Sequence, residues 1–204
     1  LLEYANNQPL TYNPILGIYQ EGTAVGFYSK AESKQNYTNL EPRFTLAYRQ
    51  ERSAWKASYQ RVNQYLHLIS NTTSPTPLDV WTPSGRYLKP QQSDQWALGY
   101  VTESENGNSL EAEVFYKHTD NRYDYIDGAE LVANEAIEQI LLPGTARAYG
   151  LELLFRKTQG KVTGMAGYTW SRAEQKTPGQ QTNEPGINQG NWYRSAYDKT
   201  HDLS

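Results

Sequence analysis

"SLEAEVFYKHTDNRYDYIDG", residues 109–128, decides the fold. Leu110, Ala112, Val114 and Tyr116 stand at every second position, with Glu111, Glu113 and Lys117 between them. That is the period of an extended strand with one apolar and one charged face. After Lys117 the alternation gives way to aspartates and tyrosines, which read as the start of a loop. A strand of this kind separates two environments, one oily and one wet.

The pattern recurs along the chain. In "SAWKASYQ" Trp55, Ala57 and Tyr59 oppose Lys56, Ser58 and Gln60. In "SDQWALGY" Trp96, Leu98 and Tyr100 oppose Gln95, Ala97 and Gly99. In "AYGLELLFRK" Tyr149, Leu151, Leu153 and Phe155 share a face, and in "KVTGMAGYTWS" Val162, Gly164, Ala166, Tyr168 and Trp170 do. Phe115, Leu154 and Met165 break the rule by standing on the polar side. Helical periodicity is poor throughout, so the chain is all-β. The strands expected are 22–30, 40–49, 54–64, 92–102, 109–118, 146–157 and 161–172, an antiparallel up-and-down meander of about seven long strands. At about 9–12 residues they exceed the usual strand and match the ~9–11 needed to cross a bilayer at a tilt.

The connections alternate in length. Short turns are expected at 49–53, 102–109 and 157–161, and long excursions at 31–39, 65–91, 119–145 and 173–198. An outer-membrane barrel sorts its loops this way because its two rims meet different solvents. A soluble sandwich has no such reason.

Composition narrows the field further. The 204 residues hold 17 Tyr and 5 Trp against 4 Phe, so amphipathic rings outnumber oily ones, as in aromatic girdles or a sugar-binding surface. Nineteen basic and 22 acidic residues leave a net charge of -3 with no basic stripe, which argues against nucleic acid as a partner. The absence of cysteine excludes disulfides, thiolate metal sites and cysteine nucleophiles. No apolar run is long enough for a transmembrane helix, a statement that does not touch β-barrels. The opening "LLEYANNQPL" carries no signal-peptide pattern, both ends look cut from something longer, and residues 1–21 are an undefined lead-in to a single partial-barrel unit.

Five stretches are similar, in order, to the C-terminal half of TonB-dependent outer-membrane receptors: "LEPRFTLAYRQERSAWKASYQRVNQYLHL" (40–68), "LKPQQSDQWALGY" (88–100), "ARAYGLELLFRK" (146–157), "GYTWSRAE" (167–174) and "YDKTHDLS" (197–204). The nearest likeness is to receptors with an N-terminal carboxypeptidase-regulatory-like extension. The resemblance implies a segment of a plugged barrel of about 22 strands in the bacterial outer membrane. It also implies import of a siderophore, cobalamin, glycan or peptide, driven by the TonB energy-transducing complex acting on a plug this chain lacks. Outer-membrane lipid and a small extracellular ligand would be its other partners. Glu41, Pro42 and Arg43 stand where the family opens a descending strand. Lys89, Pro90, Ser93 and Gly99 stand where a strand follows a long external loop, and Gln91 departs from an acidic preference. Asp198 and His201 fall in a motif whose expected role is a rim contact. The alternative is a soluble all-β binding module, one for carbohydrate among them.

Candidate ligand contacts lie in the long loops: Tyr65, Trp81 and Tyr87 in 65–91, and Trp192 and Tyr193 in 173–198. Their rings offer stacking faces, although rings in such loops also pack on each other. Asp120, Asp124 and Asp127 miss the spacing of a calcium loop, and His67, His118 and His201 are too scattered for a metal site. No metal and no cofactor is expected. "NYT" (36–38) and "NTT" (71–73) are loop residues in a bacterial protein. Enzyme signatures are missing, and Glu111 and Glu113, two apart on one strand face, read as lumen-wall charges, so no enzyme is expected.

Overall fold

In the computed structural model the described residues are 11–13, 18–20, 36–69, 80–85, 88–125, 141–179 and 185–204. The expected strand 22–30 lies outside them. Two short strands, β1 (Thr11–Asn13) and β2 (Ile18–Gln20), pair antiparallel in the lead-in. The principal sheet is built from β3 (Arg43–Arg49), β4 (Ser53–Gln64), β7 (Gln91–Glu103), β8 (Asn108–Tyr125), β9 (Leu141–Lys157) and β10 (Gly164–Lys176). Each pairs antiparallel with its neighbour in that order. Between β4 and β7 a hairpin of β5 (Leu66–Ile69) and β6 (Val80–Pro83) stands apart. The free edge of β10 carries an interrupted strand in two pieces, β11 (Tyr193–Arg194) and β12 (His201–Leu203).

The alternation becomes lateral rows. Leu46, Ala57, Leu98, Val114, Leu151 and Trp170 are successive cross-strand partners from β3 to β10. One row toward the long loops runs Phe44, Tyr59, Trp96, Tyr116 and Tyr149, with ring centroids 6.3, 5.5 and 5.9 Å apart across the first four. One row toward the short turns runs Tyr48, Trp55, Tyr100, Ala112, Leu153 and Tyr168. The result is an aliphatic band flanked by aromatic rows. It is uncovered: Leu46, Leu98 and Val114 are 74%, 46% and 48% exposed. The buried apolar residues among those described are Leu88, Leu141 and Leu142, all beyond the band. A water-soluble domain hides its largest apolar patch inside; this chain displays it.

The other face is polar and concave. Phe115 is explained there: its ring lies over Gly150, where an added Cβ would come within 2.9 Å of the ring, so an inward aromatic covers a strand glycine. Short connections at 50–52, 104–107 and 158–163 bind one another. Arg52 pairs with Glu105, and Thr158 donates through both N–H and Oγ1 to the Gly107 carbonyl at 2.9 Å. Gly107 (φ 69) and Gly160 (φ 103) occupy left-handed turn positions that side chains resist.

The long-loop end departs from expectation. β8 runs on to Tyr125 and β9 starts at Leu141, so part of the loop expected at 119–145 is strand. A bulge at Asn121 (φ 55) makes this possible, shifting the register between Asp120 and Arg122 and handing the outward side from even to odd residues. The loop expected at 65–91 likewise contains β5 and β6.

Candidate functional site

The family-like motifs acquire physical roles. Glu41 Oε1 accepts the Asn63 N–H at 2.8 Å and the Pro42 carbonyl accepts the Arg61 N–H at 3.0 Å, so "EPR" seats the top of β4. The Lys89 N–H donates to the Tyr123 hydroxyl at 2.6 Å, and the Pro90 carbonyl accepts from Asn121 Nδ2 at 2.8 Å, tying "KP" to the bulge. Asp198, its side chain 4% exposed, stands in for a missing backbone partner. Its Oδ1 accepts the Ala173 N–H at 2.7 Å between β11 and β12. His201 lies against Tyr168, Nδ1 to hydroxyl 2.9 Å.

Above the aromatic row on the outward face runs a charged row: Arg61, Asp94, His118, Arg147, Glu174 and Arg194. Two ion pairs link its members. Arg61 grips Asp94 with two hydrogen bonds of 2.8 and 3.0 Å while the Tyr59 hydroxyl donates to the same carboxylate at 2.6 Å. Arg147 pairs with Glu174 at 2.8 Å, and His118 with Asp120 at 3.2 Å. This order, from aliphatic to aromatic to paired charge, follows a bilayer from core through interface to headgroups.

The inward face holds a concavity of about 550 Å³ toward the short turns, lined by Lys56, Glu111, Glu113, Glu152, Thr169 and Asp202 among others. Glu113 and Glu152 are direct cross-strand partners, and neither has a salt-bridge partner among the described residues. Gly99 leaves room for the Glu113 carboxylate, 3.4 Å from where a Cβ would stand. Like charges facing each other across strands destabilise a sheet until something opposite meets them.

Toward the external end the inward face carries a second polar group. Asp124 Oδ2 accepts from the Tyr193 hydroxyl at 2.8 Å and from Gln175 Nε2 at 3.3 Å, and Tyr193 also bonds Thr177 Oγ1 at 2.9 Å. Burial, with the Asp124 carboxylate adding to it, pushes the Tyr193 phenol up to about 12. The five aromatic residues expected to meet ligand are therefore divided. Tyr193 faces inward. Trp192 lies on the outward side, its ring 4.1 Å from the Arg147 guanidinium. Tyr65 is 39% exposed and its hydroxyl accepts from Asn39 Nδ2 at 3.2 Å. Trp81 sits on the β5–β6 hairpin, 58% exposed, and Tyr87 lies outside the described residues. Asp124 was legible only as part of an acidic loop, because its inward orientation depends on the bulge.

His67 is buried beneath the hairpin, its Nε2 2.9 Å from Ser84 Oγ and its ring edge-on to Tyr123 at 5.3 Å. Burial, reinforced by Arg122 nearby and opposed by a hydrogen bond to the Lys89 backbone, lowers its pKa below 6.5. The unfolded hairpin therefore binds a proton more readily than the docked one. Docking is expected at full strength above pH 6.5 and to weaken as pH falls below it. Hydrogen exchange of residues 66–69 at pH 7.5 and 5 checks this; equal protection at both sinks it.

A wall with an uncovered aliphatic band, aromatic flanks, a polar concave interior and alternating short and long connections is a segment of an outer-membrane-type β-barrel. More narrowly, the chain belongs to the TonB-dependent receptor-like β-barrel family, whose model matches residues 18–198. No curated protein and no solved structure is significantly similar to it. The family is one of outer-membrane receptors and transporters, which accounts for the apolar band as a surface for lipid.

Proposed function

We propose that the chain is part of the membrane-spanning barrel of a receptor in the bacterial outer membrane that imports a scarce extracellular ligand: a siderophore, cobalamin, a glycan or a peptide. The observation that carries this is the two-faced wall, lipid-compatible outside and polar inside, in a chain of this family. In this reading TonB supplies the energy through a plug that fills the lumen. The uncompensated Glu113–Glu152 pair supports an occupant that brings cations to it. Among the residues described, Tyr193 with Asp124 and Gln175 has the inward placement a ligand contact needs, and Tyr65 and Trp81 are the exposed rings among the other candidates.

Deleting the receptor gene is expected to impair growth when one of these four nutrients is limiting, with the same defect when TonB is inactivated. Glu113→Gln with Glu152→Gln in the restored gene is expected to give partial rescue only. Parental growth of the deletion strain on all four nutrients overturns the proposal.

A further inference from the structure

The charged row of the outward face is uneven along its length. On β4 and β7 one arginine meets one aspartate, and on β8 His118 leans on Asp120. Across β9, β10 and β11 the balance changes. Arg147 and Arg194 are the two cross-strand partners of Glu174, and Arg172 and Lys176 stand one step below and above it on the same side of β10. With Asp198 counted, four cations face two carboxylates there.

The two carboxylates do not use up the donors. Arg147 is fixed, bonding Glu174 Oε2 at 2.8 Å against the Trp192 ring. Arg172 meets Glu174 at 3.9 Å and Arg194 meets Asp198 at 3.8 Å, both beyond hydrogen-bond length. Lys176 has no salt-bridge partner among the described residues. The side chains of Glu174 and Asp198 are 14% and 4% exposed, those of Arg172 and Arg194 36% and 58%. The carboxylates thus lie beneath the guanidiniums and hold them together, leaving their outer donors for something else.

Depth says what that is. Arg172 is the cross-strand partner of Tyr149, so the aromatic row ends on β10 in a cation. On a face turned to lipid, a cation at that level is stable where its head reaches an anion at the membrane surface. A guanidinium matches two phosphate oxygens in one plane, and basic clusters beside a membrane-spanning wall hold anionic head groups.

The geometry points to a binding site for the phosphate of an outer-leaflet lipid head group, held by Arg172, Arg194 and Lys176 with Arg147 and Trp192 behind them. This rests on the barrel reading above, which sets the face against lipid. It gives Trp192 to the lipid side and leaves ligand selection to the inward-facing groups.

The test follows the full-length receptor in detergent by native mass spectrometry. It is titrated with diphosphoryl lipid A and with the phosphate-free form of the same lipid, each with and without millimolar inorganic phosphate. The expected result is binding of the diphosphoryl form about tenfold or more tighter than the phosphate-free form, unchanged by inorganic phosphate. Arg172→Gln with Arg194→Gln is expected to abolish that preference, and Arg194→Gln alone to reduce it. Arg156→Gln, the loss of a charge from the inward face of β9, is expected to keep it. Heat-modifiable migration shows that each variant is folded. Equal affinity of the parent receptor for both lipids overturns the inference whatever the variants do. Competition by inorganic phosphate overturns it in favour of a free anion, and an undiminished preference in the folded double variant overturns the assignment to these arginines. A receptor that stays monodisperse once detergent is removed shows instead that the barrel reading itself has failed.

Discussion

Val114→Lys is expected to block assembly of the complete receptor into the membrane. Val114 occupies the middle of the aliphatic row, between Leu98 and Leu151, so a lysine there has no rim within easy reach. A cation at mid-depth on the lipid face of a barrel costs about 2–4 kcal/mol, roughly a thirty- to thousand-fold shift in the folding equilibrium. Ser58→Lys makes the same chemical change on the opposite face, where Thr45 and Ala97 are its cross-strand neighbours, and is expected to assemble normally. Heat-modifiable migration of membrane-extracted receptor reports the folded fraction. Normal folding of Val114→Lys, or equal loss in both variants, shows that the two faces are not lipid and lumen.

The second large effect is expected at Asp94. Its carboxylate takes both bonds from Arg61 and one from Tyr59, beside the apolar band. Asp94→Ala leaves a guanidinium and a phenol without their acceptor, a loss of about 1–3 kcal/mol for a partly buried charged group. The lower part of that range is the better expectation because the Arg61 side chain keeps 36% of its surface in contact with solvent. Arg61→Ala and the double variant complete a cycle in urea unfolding of the reconstituted receptor. Additive losses would mean that Arg61 and Asp94 contribute separately, and the charged row would then not be a set of braces.

Much of the wall was legible from residue order because a strand's side chains alternate whatever it pairs with. Once neighbours align, the period-2 pattern of Leu110 to Tyr116 becomes a face without further information. Strand ends were less legible. "DNRYDY" lacks apolar alternation, yet it continues β8, since a bulge at Asn121 and bonds to Pro90 and Lys89 hold it in place. Those partners are some thirty residues away in sequence, out of reach of any local pattern. The inward Phe115 has the same character, because its reason is Gly150 on the next strand.

The candidate site divides along the same line. Aromatic rings in long loops marked Tyr65, Trp81, Tyr87, Trp192 and Tyr193 as available for stacking, which is a property of the side chain alone. Whether a ring points into the lumen or away from it depends on register, and register depends on a bulge, an interrupted edge strand and the seating of a hairpin. Period, strand length, turn chemistry and family likeness were in the sequence, because each is set by residues close together along the chain. The pairing of Glu113 with Glu152, the tie of Tyr193 to Asp124 and the seating of the β5–β6 hairpin against Tyr123 were decided by tertiary structure alone. Each joins residues that only the folded sheet brings within a few ångströms.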